Sequence, residues 1–328
     1  MTHEDREQRD FNSLRVLALA GGVGGAKLAS GLAELLGERL TVLVNTADDF
    51  SHLGLHVSPD LDTVMYTLAG IANPETGWGV ANETWSFMGQ VERLGGPAWF
   101  CLGDRDLATH AVRTERLNRG DSLTAITTEF CRALGVRPRV LPMSDNPVRT
   151  IVHSDTGALS FQDYFVRLKC EPKVSGFSFE GASGAKYNSK LDDLSEERNR
   201  LVIVICPSNP YVSVDPILAL PGLREWIGAT GAPVIAISPI VGGGTIKGPA
   251  AKMMRELGHG SSALSVAQHY RGLADALVID ERDRDAAQDI ALLGMRVRVA
   301  HTVMRTQADR VALARECLAL AEELRCKA

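Results

Sequence analysis

Apolar residues fall into two arrangements along this chain. Short unbroken runs recur: LRVLALA (14–20), LTVLVNT (40–46), LVIVIC (201–206), APVIAIS (232–238), ALVID (276–280) and MRVRVA (295–300). Each is apolar, most carry β-branched residues, and all are too short for an ordinary helix, which predicts strands covered on both faces. Between several of them the apolar positions recur every three or four residues, as in GPAAKMMRELG and DAAQDIALLG. The stretch TQADRVALARECLALAEELRCK keeps that period longest and predicts an amphipathic helix. Strand–helix alternation of this kind implies an α/β fold with a doubly wound, mostly parallel sheet.

The middle of the chain reads differently. Residues 70–135 carry helical patterns with few strands. RVLPMS, VRTIVHS and ALSFQDYFVRL within 138–168 look like short strands, and the polar stretch SGFSFEGASGAKYNS follows. The expected organisation is a nucleotide-binding core from 14–70 and 196–328. Into it residues 71–195 insert as a largely helical subdomain that forms one side of a cleft. Residues 1–13, MTHEDREQRDFNS, are charged and lack an apolar core, so they are expected to be a disordered tail, not a secretory signal.

Composition narrows the partners. Net charge is −5, which gives no global attraction to nucleic acid. An anionic substrate must therefore be met by local cations and backbone amides. None of the six cysteines forms a C-x-x-C pair, which disfavours a zinc ribbon or a disulfide framework and suits a cytoplasmic protein. No apolar run approaches the roughly 18–20 residues of a membrane span.

The first strand enters GGVGGAK, residues 21–27. A turn of glycines opening a helix offers free N–H groups and the positive end of the helix dipole to an anion. Neither common phosphate fingerprint fits. Counted from Gly21 as a Walker loop, Ala26 stands where the second glycine belongs and Leu28 replaces the magnesium-binding hydroxyl. Counted as G-x-G-x-x-G from Gly22 and Gly24, Lys27 occupies the small-residue position. The second strand ends in Asn45, not in an acid for a ribose diol, so a nicotinamide enzyme is disfavoured. Gly21, Gly22, Gly24, Gly25 and Lys27 remain phosphate-binding candidates.

After the second strand, NTADDFSHLGLHVSPDLDT places Asp48, Asp49, Asp60 and Asp62 within residues 45–63. Four carboxylates so close suit a hard cation such as magnesium, which takes one or two of them together with phosphate oxygens. Pro59 suits the first turn of a helix, where Asp60 would equally well act as a cap. His52 and His56 have the spacing of a helical zinc pair but lack a third ligand. LGDRDLATH gathers Asp104, Arg105, Asp106 and His110 at a turn and helix start. Arg105 there has the fork for bidentate contacts, and Asp106 suits an N-cap. Two further strand ends lead into CPSNPYVS, with Ser208, Asn209 and Pro210, and SPIVGGGTIKGPA, with Gly243 and Lys247.

Taken in order, LAGGVGGAKL, VNTADDF, SPDLDT, LGDRDLATH, LPMSDNPV, FQDYFVR, PSNP, SPIVGGGTIKGPA and DERDRD resemble the CofD/FbiA-type 2-phospho-L-lactate transferase family of deazaflavin coenzyme (F-420) biosynthesis. The resemblance implies a Rossmann-like homodimer that depends on Mg2+. It implies transfer of a phospholactyl-type group from a guanylylated phospho-acid to the ribityl hydroxyl of a deazariboflavin, with release of GMP. Carried over by motif, Asp49, Asp60 and Asp62 are the metal candidates, and Asp62 and Asp49 the catalytic ones. Asp62, Asp104, Arg105 and His110 would face the deazaflavin, and the glycine turn, PSNP and SPIVGGGTIKGPA would surround the guanosine diphosphate. A related family shares the glycine turn and binds nucleotide sugars in cell-shape and carbon regulation. The GDRD and FQDYFVR blocks favour the transferase, because an acceptor pocket needs them.

Overall fold

The computed structural model describes residues 11 and 13–326. Seven strands form the central sheet: β1 (Arg15–Ala20), β2 (Leu40–Val44), β3 (Arg139–Pro142), β4 (Leu201–Ile205), β5 (Val234–Ile237), β6 (Ala276–Asp280) and β7 (Arg296–Ala300). Their spatial order is β7-β6-β5-β4-β1-β2-β3, and every pairing is parallel. Helices cover both faces. The alternation of side chains along each strand feeds two separate cores: Leu17, Leu19, Ile203 and Ile205 pack on one face, and Val16, Ala18, Val202 and Val204 on the other. This two-sided burial is why the strands read as unbroken apolar runs. The expected α/β doubly wound architecture is what the chain adopts.

Three local expectations change. Arg139–Pro142 pairs with β2 over Thr41–Val44, so a strand inside the span read as an insertion belongs to the sheet. FQDYFVR does not continue a strand: after Gly157–Ser160 the chain turns into a helical segment at Asp163–Arg167. The polar stretch that follows contributes Val174–Glu180, which pairs with Arg149–Ser154 in a separate three-stranded antiparallel sheet. Much of the expected tail lies outside the described residues, but Phe11 is 4% exposed and joins the core beneath β1.

The C-terminal helix (Gln307–Arg325) forms where the longest apolar period predicted it, and Thr306 with Asp309 closes its start in a capping box. It crosses the first helix (Gly22–Leu36) at Gly31, where a Cβ would lie 2.1 Å from the Arg310 carbonyl oxygen. Among the described residues no helix is long and apolar enough to cross a membrane.

Candidate active site

The strand order reverses between β1 and β4, and a sheet of this type opens a crevice beyond the carboxyl ends of such a pair. The loops leaving the two strands are locked together there. Ser208 Oγ accepts from the Gly21 amide at 3.1 Å and donates to the Gly21 carbonyl at 2.9 Å. The helix begins at Gly22, so the glycines are its first turn and not a loop before it. Two of them are dictated by packing: a Cβ on Gly24 would meet the Pro207 carbonyl oxygen at 2.3 Å, and one on Gly25 would meet Ser208 Oγ at 2.7 Å. Gly22 holds φ +61°, where glycine is unstrained. Gly21 carries no capping side chain.

Asp60, in the first turn of the Pro59–Leu68 helix, places its carboxylate against this turn and accepts from the Gly22 amide. Asn45 Nδ2 binds Asp60 Oδ2 at 3.0 Å and the Val212 carbonyl at 3.2 Å, while Asn45 Oδ1 takes the Ala47 amide. Asn45 thus ends β2 as a bracket for an acid, which explains its presence where a dinucleotide enzyme keeps a carboxylate. Burial raises the Asp60 pKa to about 6, against the hydrogen bonds from Asn45 and Gly22 and with the help of Asp49. Asp48 is pushed further up by burial and by the charges of Asp60 and Asp49. Asp49 binds His56 Nε2 at 3.0 Å and the Ser58 hydroxyl at 2.8 Å. One oxygen of Asp48 and one of Asp49 are buried with no hydrogen-bond partner.

Asp62 parts from that group. It pairs through both oxygens with the guanidinium of Arg113, a fully buried side chain on the Asp104–Asn118 helix. Its ligand atoms gather instead with those of Asp106 and His110, all within 4.8 Å of one another. Tyr66 donates its hydroxyl to Asp106 at 2.8 Å. Burial alone would raise the Asp106 pKa, but His110, the Tyr66 hydroxyl and the nearby charges hold it below the usual carboxylate range. The four aspartates after β2 therefore divide into Asp48, Asp49 and Asp60 beside the glycine turn, and Asp62 beside helix residues 106, 110 and 113.

Both groups border one cavity of about 600 Å³. Gly21, Gly22, Gly24, Lys27, Ser208 and Asn209 line one part of it, with Lys247 and Met304. Trp78, Trp99, Phe100, Phe161 and Phe165 line the same cavity, as do Asp62, Asp106 and His110. Phe161 stacks on Phe165 with centroids 5.3 Å apart, and Gln162 between them donates to the Asp48 carbonyl at 3.1 Å. Phe100 meets Phe50 edge-on at 4.8 Å, and Trp99 meets His52 at 5.3 Å. His52 and His56 sit on opposite strands of the hairpin Phe50–His52 and Leu55–Val57, so the helical zinc spacing is not realised.

Several expected residues have other duties. Lys27 Nζ donates to the Met304 carbonyl at 3.0 Å, and burial together with Arg310 and Lys247 lowers its pKa. Lys247 Nζ donates to the Thr76 carbonyl at 2.9 Å, both residues lining the cavity. Gly25, Pro210 and Gly243 do not line the cavity. Asp104 accepts from the Thr84 hydroxyl and from the amides of Ser86 and Phe87, so it caps the Ser86–Arg93 helix and not a substrate. Arg105 binds the Ala81 carbonyl at 3.3 Å and borders a separate groove with Tyr66, Asn82 and Leu134. Asp106 is no N-cap: Gly103 holds that position, and Glu83 receives the amides of both Arg105 and Asp106. Sequence reasoning missed Arg113 altogether; its signal is the i, i+4, i+7 spacing of Asp106, His110 and Arg113 on one helix face.

Comparison with known proteins shows the family. The family model for the 2-phospho-L-lactate transferase CofD matches residues 16–315. A phosphoenolpyruvate transferase of Streptomyces griseus is 42% identical over 319 residues, covering 95% of this chain and 100% of the relative. A 2-phospho-L-lactate transferase of Methanosarcina mazei is 39% identical over 291 residues, covering 88% and 94%. A crystal structure of a UPF0052-family protein from Bacillus halodurans superposes with a TM-score of 0.63 at 17% identity, covering 93% of this chain and 98% of that one, which bears on the fold alone. The chain is a transferase and belongs to the 2-phospho-L-lactate transferase CofD family.

Proposed function

We propose that this cavity transfers a phospholactyl-type group (phospholactyl, enolpyruvyl phosphate or phosphoglyceryl) from a guanosine diphosphate conjugate to the terminal ribityl hydroxyl of a deazariboflavin, releasing GMP, in coenzyme F-420 biosynthesis. One observation carries the reading: a glycine-opened helix start and an aromatic, carboxylate-bearing wall border the same cavity. The first can hold a diphosphate, and the second a flat polycyclic acceptor with a polyol arm. That relatives along almost the whole chain are named as transferases of phosphoenolpyruvate or 2-phospho-L-lactate supports the same class of donor.

Magnesium fits the residues present. Asp48 and Asp60 border the cavity, and Asp48 keeps a buried oxygen with no partner, as does Asp49 behind it. Asp48 and Asp60, whose charges oppose each other, offer carboxylate oxygens of the kind a hard cation takes, and they would hold the ion. When bound, it would neutralise charge on the diphosphate.

The protein's own part is positioning, which dominates transfer at phosphorus. The ribityl oxygen bonds to the phosphorus that carries the acid. The bond from that phosphorus to the oxygen of the nucleoside monophosphate breaks, and GMP leaves with that oxygen. Asp62 accepts a hydrogen bond from the hydroxyl and takes its proton as the bond forms. Its Arg113 partner keeps the carboxylate anionic and in place, and each oxygen retains a second lone pair for the substrate. The aromatic wall excludes water, which would otherwise hydrolyse the donor. Burial raises the Asp62 pKa against the pull of Arg113 and His110, so the carboxylate keeps its basicity while Arg113 orients it.

The test is an incubation with deazariboflavin, magnesium and competing guanylylated phospho-acids, followed by mass spectrometry. GMP and a more polar deazaflavin carrying one acid are expected, with the favoured acid read from product mass. If neither product forms while a nucleotide sugar binds tightly, the proposal fails.

A further inference from the structure

We propose that Arg113 is a positioning residue of the acceptor end, fixing both the Asp62 carboxylate and the tautomer of His110. This rests on the reading of Asp62 as the group that orients the acceptor hydroxyl. Arg113 does not border the cavity, whereas Asp62, Asp106 and His110 all do. Its terminal nitrogens span the two oxygens of Asp62, and Nη1 also lies 3.3 Å from His110 Nδ1 and 3.5 Å from the His56 carbonyl. Phe130 lies 5.9 Å from the guanidinium carbon on another side.

A guanidinium can only donate. His110 Nδ1 must therefore accept from Arg113, and the ring hydrogen of neutral His110 belongs on Nε2. That nitrogen sits 3.3 Å from Asp106 Oδ1, which holds the Tyr66 hydroxyl. The alternative, an Nδ1 hydrogen given to Asp62, faces a separation of 3.6 Å and an opposing N–H from Arg113. One buried cation thus sets the hydrogen position on His110, whose Nε2 lies 3.3 Å from Asp106 Oδ1 but outside hydrogen-bond geometry.

Stability does not explain the arrangement. A buried ion pair is often no better than apolar residues of similar volume, because desolvation offsets the attraction. Arg113 even leaves its Nε buried without a partner. The same groups placed beside the cavity are better accounted for by the geometry they impose on it.

The experiment combines histidine-selective 15N NMR with a kinetic double-mutant cycle, using Arg113→Met, Arg113→Lys, Asp62→Asn and the double variant Asp62→Asn/Arg113→Met. The His110 signal, assigned through His110→Gln, is expected to show Nε2 protonated and Nδ1 bare in the wild type. Arg113→Met should lose that pattern. Its kcat should fall about a hundredfold, the scale of a misplaced reacting group, with the donor KM little changed. Placed on Asp62→Asn, the same change should cost less than about threefold more, because residues acting as a unit are non-additive. Arg113→Lys keeps the charge without the fork, so it should restore part of kcat but not the tautomer. If Arg113→Met does not fold, Arg113→Lys and the double variant, which removes both charges, still decide the matter. An unchanged His110 tautomer in the Arg113 variants, or losses that simply multiply, overturns the proposal. Full turnover by Asp62→Asn refutes the reading of Asp62 instead and leaves the tautomer measurement standing, since that measurement needs no substrate.

Discussion

Ser208 Oγ satisfies both backbone groups of Gly21, accepting from its amide at 3.1 Å and donating to its carbonyl at 2.9 Å. One side chain therefore fastens the loop after β4 to the loop after β1. Ser208→Ala removes the hydroxyl and leaves the buried Gly21 amide unpaired, while the Gly21 carbonyl, as that of the N-cap, keeps the first helix bond. Leaving one such group unsatisfied costs about 1–3 kcal/mol, so a loss of that size is expected in urea denaturation. A loss under about 0.5 kcal/mol, the scatter of ordinary surface changes, would show that water replaces the staple freely.

Gly24 and Gly228 make opposite predictions from the same substitution. A methyl on Gly24 lands 2.3 Å from a backbone oxygen, Pro207 O, which cannot swing aside as a side chain does. Gly24→Ala must separate the two switch-point loops, so donor affinity and stability should both fall. Gly228 lies in the Leu223–Thr230 helix with no atom near its would-be Cβ. Gly228→Ala should stabilise by about 0.5–1 kcal/mol, because alanine loses less backbone entropy. Thermal melts of the two variants, run beside guanine-nucleotide titrations, check both signs. A Gly24→Ala protein that melts and binds like the wild type would contradict the close approach.

The strands were legible because two-sided burial leaves no polar positions to blur the run: all five residues of Leu201–Ile205 are buried. Arg139–Pro142 reads as a short strand, but nothing local shows that it joins the central sheet as its edge; only its pairing with β2 does. At the site, the acids after β2 were visible as a set, but their division was not. Asp60 and Asp62 are neighbours in sequence, yet the helix turns one toward Asn45 and the glycine turn and the other toward Arg113. The glycines were read for anion binding. Half of their purpose is clearance for Pro207 and Ser208, which lie more than 180 residues away (|i−j| is 187 for Gly21 and Ser208) and leave no local trace. In the GDRD block, the conspicuous Asp104 serves a helix end and Arg105 a turn carbonyl, while the less conspicuous Asp106 and His110 face the cavity.

Asp48 and Asp60 should together decide magnesium binding. Replacing either with asparagine keeps size and removes a charge that the neighbouring acids already oppose. Isothermal titration with magnesium and a guanosine diphosphate should show binding in the wild type and its loss in either variant. The same loss should appear as heat stability that no longer rises with magnesium, since saturating a site a hundredfold above its Kd stabilises by about 2.7 kcal/mol. Asp48→Asn should melt no lower than the wild type without metal, because it removes a buried charge that Asp60 and Asp49 repel. Magnesium binding that survives in both variants would move the ion elsewhere, with Asp62, Asp106 and His110 the next set to test.

Asp62 and Arg105 separate a residue inside the cavity from one outside it. Asp62 lines the cavity and is held by Arg113, whereas the Arg105 guanidinium reaches the Ala81 carbonyl beside another groove. Asp62→Asn keeps the shape and one acceptor oxygen but gives Arg113 an uncharged partner and removes the proton acceptor. Losing a positioned proton acceptor costs about a hundredfold to ten-thousandfold in kcat. Arg105→Ala removes an exposed contact, worth at most about 0.5 kcal/mol, so kcat and the acceptor KM should stay within about twofold. Steady-state kinetics with the deazariboflavin as varied substrate reads both. A large rise in acceptor KM for Arg105→Ala would bring that arginine back to the acceptor, and would require the segment from Trp78 to Arg105 to close differently around the bound ring.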